Sequence, residues 1–135
     1  MKLKMDKSVI GDSLTKEYGI PENYRIFRHI FYHKGKEDPE ALFMIKFQLK
    51  RMNPKLNVLF SYIPMMVLIH MKGFREKYYL TDYQTGCCRG VYKWQTVADA
   101  ENYSQSVAVK FMKKRSVAGS VHFKINKDII QYLVS

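Results

Sequence analysis

The chain has 135 residues, 47% apolar, 14% aromatic and 26% charged. That is one domain with enough apolar material for a core, which excludes a disordered chain. The net charge of +11 favours attraction to anions, but the 23 basic residues are spread along the chain rather than gathered in a nucleic-acid-binding tract.

Met1 to Lys7 is charged and leads into no apolar run, so no signal peptide is expected. Residues 1–40 read as an N-terminal extension packing on a body of residues 41–135. Within it, Asp12 to Tyr18 can start a short helix that Pro21 interrupts, and Tyr24 to Tyr32 suits a strand or a helix. Lys34 to Glu40 is a loop by its Gly, Pro and charge.

Ala41 to Leu49 puts Phe43, Ile45, Phe47 and Leu49 on one side, a period of two that predicts a strand. Asn53-Pro54 then opens a helix running to Met71, which Pro64 should kink or split. Leu56 to Met71 is the most apolar stretch, shorter than the roughly 20 residues of a spanning helix and broken by Asn57, Ser61, Pro64 and His70. No membrane span is expected.

Gly73 ends that helix. Arg75 to Tyr83 is a second strand, Gln84-Thr85-Gly86 a turn, and Cys88 to Gln95 a third strand, in which Gly90 marks a bulge or a close backbone contact. Cys87 and Cys88 are adjacent and cannot staple distant segments, so a reducing cytoplasmic setting is the default. Thr96 with Asp99 resembles a capping box, and the helix that follows places Ala100, Tyr103, Val107 and Phe111 on one face before ending in Lys113-Lys114-Arg115. Ser120 to Ile125 is a fourth strand, and Asp128 to Ser135 a tail.

The order strand, helix, strand, strand, helix, strand is the split β-α-β arrangement of ferredoxin-like α+β folds, an antiparallel sheet with both helices on one face. Aromatic residues on the other face ask for a second layer, most simply a second subunit.

Several segments carry a resemblance: Gly73-Phe74-Arg75-Glu76-Lys77, Thr85-Gly86, Arg89-Gly90-Val91-Tyr92-Lys93-Trp94, Ala100-Glu101-Asn102-Tyr103 and Gly119-Ser120-Val121-His122-Phe123. Together with the first strand and helix, residues 41–126 resemble the antibiotic-biosynthesis-monooxygenase-like superfamily of dimeric α+β barrels, in its mono-oxygenase-like branch. The resemblance implies a homodimer with facing sheets and a pocket between each sheet and its own helices. Some members oxidise aromatic polyketides without metal or flavin, because the deprotonated substrate itself reacts with oxygen. Others degrade haem with an Asn on the first strand and a His on the second helix. Ala41 to Leu49 holds no Asn and Thr96 to Arg115 no His, so haem degradation is not indicated, although Trp94 matches the pocket Trp of those members.

The candidate site follows from these elements. Tyr79, Tyr92 and Trp94 would shape the pocket and stack on a planar ligand, with His70 beside them. His122 or Tyr103 would act as acid or base, and Arg75, with Lys77 and Arg89 as further strand-end cations, would steady negative charge on the substrate. His29 and His33 stand four apart, but no other ligand spacing supports a metal. No Gly-rich phosphate loop, nucleophile elbow or CxxC is present, so no cofactor is indicated. Three readings remain: a cofactor-independent oxygenase acting on a small apolar or aromatic molecule, a non-catalytic module binding such a molecule, and a basic nucleic-acid-binding protein, against which the even spread of charge argues. Core packing of the aromatics and simple solvation of the charges are the bland alternatives for every residue named.

Overall fold

In a computed structural model, residues 3–32, 38–50, 55, 59 and 61–127 are described. Six strands form one antiparallel sheet: β1 (Leu3–Met5), β2 (Arg25–Tyr32), β3 (Ala41–Gln48), β4 (Phe74–Thr81), β5 (Cys87–Trp94) and β6 (His122–Asn126), in the spatial order β1-β2-β4-β5-β3-β6. The helices are α1 (Thr15–Tyr18), α2 (Tyr62–Leu68), α3 (Val97–Ser104) and α4 (Val107–Lys114). Taken alone, β3, β4, β5 and β6 have the ferredoxin-like order, so the α+β class read from the sequence is the one observed.

Residues before 33 do more than pack on that body. They supply β1 and β2, and β2 pairs with β4 to extend the sheet. The segment between the two strands crosses the sheet's outer face, where Leu14, Tyr18, Ile20 and Tyr24 cover Ile26, Leu42, Leu80 and Val91. Over this area the second layer comes from the chain itself.

The inner face carries the larger core. Phe43, Ile45, Tyr92 and Trp94 from the strands meet Met65 and Leu68 of α2, Ala100 and Tyr103 of α3, and Ala108, Val109 and Met112 of α4. The single helix expected from Thr96 to Arg115 is two helices. Thr96 caps α3, accepting from the Asp99 N–H at 3.1 Å, and Ser106 caps α4, accepting from the Val109 N–H at 3.4 Å. The new cap resets the helical phase. Val107, expected on the buried face, is 64% exposed, and Ala108, Val109 and Met112 are buried instead. α2 starts at Tyr62, so Pro64 stands in its first turn, where no intrahelical N–H is required. The Asn53-Pro54 cap, His33, most of the Lys34–Glu40 loop and the tail from Asp128 lie outside the described residues. The Asp82–Cys87 turn closes as expected, with Gly86 at φ 78° and the Asp82 carboxylate accepting from Gln84 N–H and Thr85 Oγ1. Gly73, also left-handed at φ 84°, lies four residues past the α2 C-cap at Ile69, in the turn into β4.

Two bulges decide which side chains face the helices. One falls between Ile26 and Arg28, the other between Phe74 and Glu76. The extra residue in each strand reverses the in–out alternation beyond it. After the second bulge, Lys77, Tyr79 and Thr81 join the inner face, while Glu76, Tyr78 and Leu80 take the outer one. Among the described residues, no helix is long and apolar enough to cross a membrane.

Candidate functional site

Between the inner face and helices α2 and α4 runs a cleft of about 650 Å³, counted out to its mouth in solvent. Only about 60 Å³ of it accepts the centre of a water molecule, so it is narrow as it stands. Phe27 of β2, Phe47 of β3, Tyr79 of β4, and Phe111 and Met112 of α4 give it apolar walls, and no histidine lines it among the described residues. Gly90 forms part of the floor, directly opposite Tyr79. An added Cβ there would lie 2.7 Å from Tyr92 Cε1 and 3.1 Å from Ile45 Cγ2, so the glycine is a close approach rather than a bulge.

The polar group in this apolar setting is Lys77. It lines the cleft, is 5% exposed, and its Nζ lies 3.7 Å from the centre of the Tyr79 ring and 4.3 Å from that of Tyr92. Burial holds its ammonium well below the ordinary lysine range, and the nearby Arg28 guanidinium pushes it the same way. The two ring faces favour the charged form, a contribution of about 1–2 kcal/mol that is smaller than the cost of desolvating a fully buried cation. No carboxylate acts on Lys77 among the described residues; the titratable neighbours that do are Arg28 and the Cys88 thiol.

Arg28 reaches this region because of the first bulge, which sets both Phe27 and Arg28 on the helical side of β2. Its guanidinium lies 4.8 Å from the Tyr79 ring centre and 3.8 Å from that of Tyr62, and its Nη1 donates to Ser61 Oγ at 2.8 Å. It therefore ties the start of α2 down over the cleft. Cys88, buried at the cleft floor, has its thiol pushed up to about 11 by that burial, so at neutral pH it is a thiol and not a thiolate.

The structure does not bring the residues proposed from the sequence together. Tyr79 lines the cleft. Tyr92, Trp94 and Tyr103 instead form a packed cluster under α3, each at most 1% exposed, with ring centres about 5 Å apart. Within it the Tyr92 and Tyr103 hydroxyls hydrogen-bond at 2.9 Å, and Trp94 Nε1 is buried without a partner among the described residues. Burial raises the phenols of Tyr79, Tyr92 and Tyr103 above their ordinary value, so all three stay protonated and none is a base at neutral pH. His70 is exposed past the end of α2, with Nδ1 2.8 Å from the Met66 carbonyl, and His122 is exposed on the edge strand β6. Arg75 sits in the second bulge and donates to Gln95 Oε1 at 2.8 Å. Among the described residues no group of three or more His, Cys, Asp or Glu is placed to hold a metal. Lys77, first weighed as a strand-end charge, is the group the structure brings to the cleft.

No protein-family model and no curated protein sequence matches this chain. Solved structures do share its fold. A heme-degrading enzyme from Listeria monocytogenes superposes with a TM-score of 0.59 at 11% identity, covering 76% of this chain and 68% of its own. A monooxygenase-like protein from Listeria innocua gives 0.57 at 14%, covering 78% and 63%. An uncharacterized ferredoxin-fold protein related to antibiotic biosynthesis monooxygenases, from Listeria monocytogenes, gives 0.56 at 12%, covering 76% and 62%. The chain thus spans less than two thirds of the length of the last two. At these identities the likeness is one of fold.

Proposed function

We propose that this chain, which has the ferredoxin-like fold of antibiotic-biosynthesis-monooxygenase-like proteins, binds a small apolar or aromatic molecule between its sheet and its helices and oxidises it with molecular oxygen and no bound cofactor. The observation that carries the reading is the buried amine of Lys77 set in an apolar cleft, with no carboxylate among the described residues to neutralise it. A cofactor-free oxygenation needs a base that makes the substrate an anion, and a positive setting that holds the anion. Lys77 Nζ takes the proton, becomes an ammonium, and with Arg28 balances the new negative charge. The electron-rich anion then reduces oxygen itself. For a doubly benzylic methylene conjugated through its rings to a ketone across the central ring, the overall change is CH₂ plus O₂ to C=O plus H₂O, with the substrate as the only reductant.

This reading moves the acid–base role from His122 and Tyr103, and the anion-holding role from Arg75, to Lys77 and Arg28. The free thiols of Cys87 and Cys88 fit a reducing cytoplasmic setting. The test uses anthrone as the probe. Expected are quenching of the intrinsic tyrosine and tryptophan fluorescence on binding, and oxygen uptake above the spontaneous rate. Lys77→Met should lower that uptake by about 10²-fold or more, the usual share of a general base. Binding with uptake no faster than the spontaneous rate would make the protein a non-catalytic module for such ligands; absence of both would end the cleft reading.

A further inference from the structure

We propose that Lys77 is also a nucleophile, and that the cleft captures small apolar aldehydes or ketones as an imine on its Nζ. The inference rests on the reading of the cleft as a ligand site and assigns it a substrate class, carbonyl compounds without charge. The case is geometric first. Lys77 is 5% exposed, lines the cleft, and has its Nζ over two aromatic rings. A lysine kept for structure would normally meet a carboxylate or a carbonyl oxygen at this depth. Desolvation, and after it the Arg28 cation, both favour the free amine. The walls that surround it are Phe27, Phe47, Tyr79, Phe111 and Met112, which suit an apolar body behind the carbonyl.

The step is a condensation. The Nζ lone pair attacks the carbonyl carbon, a C–N bond forms, and the carbonyl oxygen leaves as water carrying both amine hydrogens. No oxidant or reductant is consumed. The cleft's apolar walls favour the imine because its reversal needs water. An imine also withdraws electrons from the neighbouring carbon, which eases loss of a proton there.

The experiment treats the full chain with 2-naphthaldehyde at pH 7, adds sodium borohydride to reduce any imine to a stable amine, and locates the adduct by peptide mass spectrometry. An exposed lysine is neutral in only about one part in 10³ at this pH, so Lys77 should be labelled at least about tenfold faster than any surface lysine. Anthrone should compete with that labelling, and Lys77→Met, verified as folded by circular dichroism, should abolish the fast adduct. Labelling of surface lysines with Lys77 untouched overturns the inference. If anthrone still quenches the fluorescence in that case, the cleft reading stands and only the imine falls. If Lys77 is labelled while anthrone does not bind, the imine stands and the oxygenase reading falls.

Discussion

At the scale of single residues, burial means different things for Lys77 and Trp94. Lys77 is held in an environment that disfavours its own charge, a cost the fold carries at a place where a reactive amine can be used. Trp94 is fully buried, packed edge-on against Phe74 and tilted against Tyr103, with ring centres 5.7 and 5.1 Å away. Its position is that of a core residue beside the site rather than a wall of it. Trp94→Ala should therefore cost about 3–5 kcal/mol of folding stability, read as a lower urea midpoint, and leave anthrone affinity unchanged. A loss of affinity with stability preserved would return Trp94 to the cleft. Tyr79 and Trp94 were both legible in the sequence as strand aromatics that could shape a pocket; what separates their roles is which helix lies above each, and periodicity does not carry that. Lys77 was legible only as a charge near a strand end. The bulge at Arg75 turns it inward, and a bulge leaves no mark in a simple period of two.

At the scale of elements, β3 to β6 follow from alternation, turn residues and caps, which is why their order could be read in advance. The break between α3 and α4 was hidden because Ser106 is a cap only if the helix stops, and a polar serine is also tolerated within one. Strands β2, β4 and β5 are also held by a different kind of contact. His29 on β2 stacks on Tyr78 of β4 with ring centres 4.0 Å apart, and its Nε2 lies 2.6 Å from Glu76 Oε2. Glu76 Oε1 meets Lys93 Nζ of β5 at 3.0 Å, so one carboxylate spans three strands. Burial pushes the Glu76 carboxyl up, but the His29 hydrogen bond and Lys93 together pull it further down, and the net shift is below the ordinary value. A carboxyl depressed in the fold binds its proton more readily when unfolded. The stability it contributes is therefore complete above its unfolded value and is lost as pH falls through its folded one. Urea midpoints taken from pH 6 to pH 3 should fall, and Glu76→Gln should flatten that fall while lowering the midpoint at pH 6. An identical acid slope in the variant would remove Glu76 from this role.

At the scale of the whole molecule, the N-terminal segment changes what the sheet can meet. The resemblance implied two copies joined through their sheet faces. Here Leu14, Tyr18, Ile20 and Tyr24 already lie on that face. Exposed Lys46 occupies the part beside β6, where a facing copy would bring like charge against it. The expected mass in sedimentation equilibrium at micromolar concentration is that of one chain, 16.0 kDa. Twice that mass would mean that the copies join elsewhere or that the N-terminal segment gives way to a partner. The sequence could not show this arrangement, because whether Tyr24 to Tyr32 becomes a strand is settled by the free edge of β4 and not by its own residues.

Gly90 carries a consequence of another kind. The cleft keeps its floor beneath Tyr79 because one methyl group is missing, and an added Cβ would press on Tyr92 and Ile45. Every glycine codon becomes an alanine codon by a single base change. One base change at this codon is thus enough to push Tyr92 and Ile45 from the places they hold behind the cleft. On the proposed reading, the range of ligands the cleft takes is open to change at a single position.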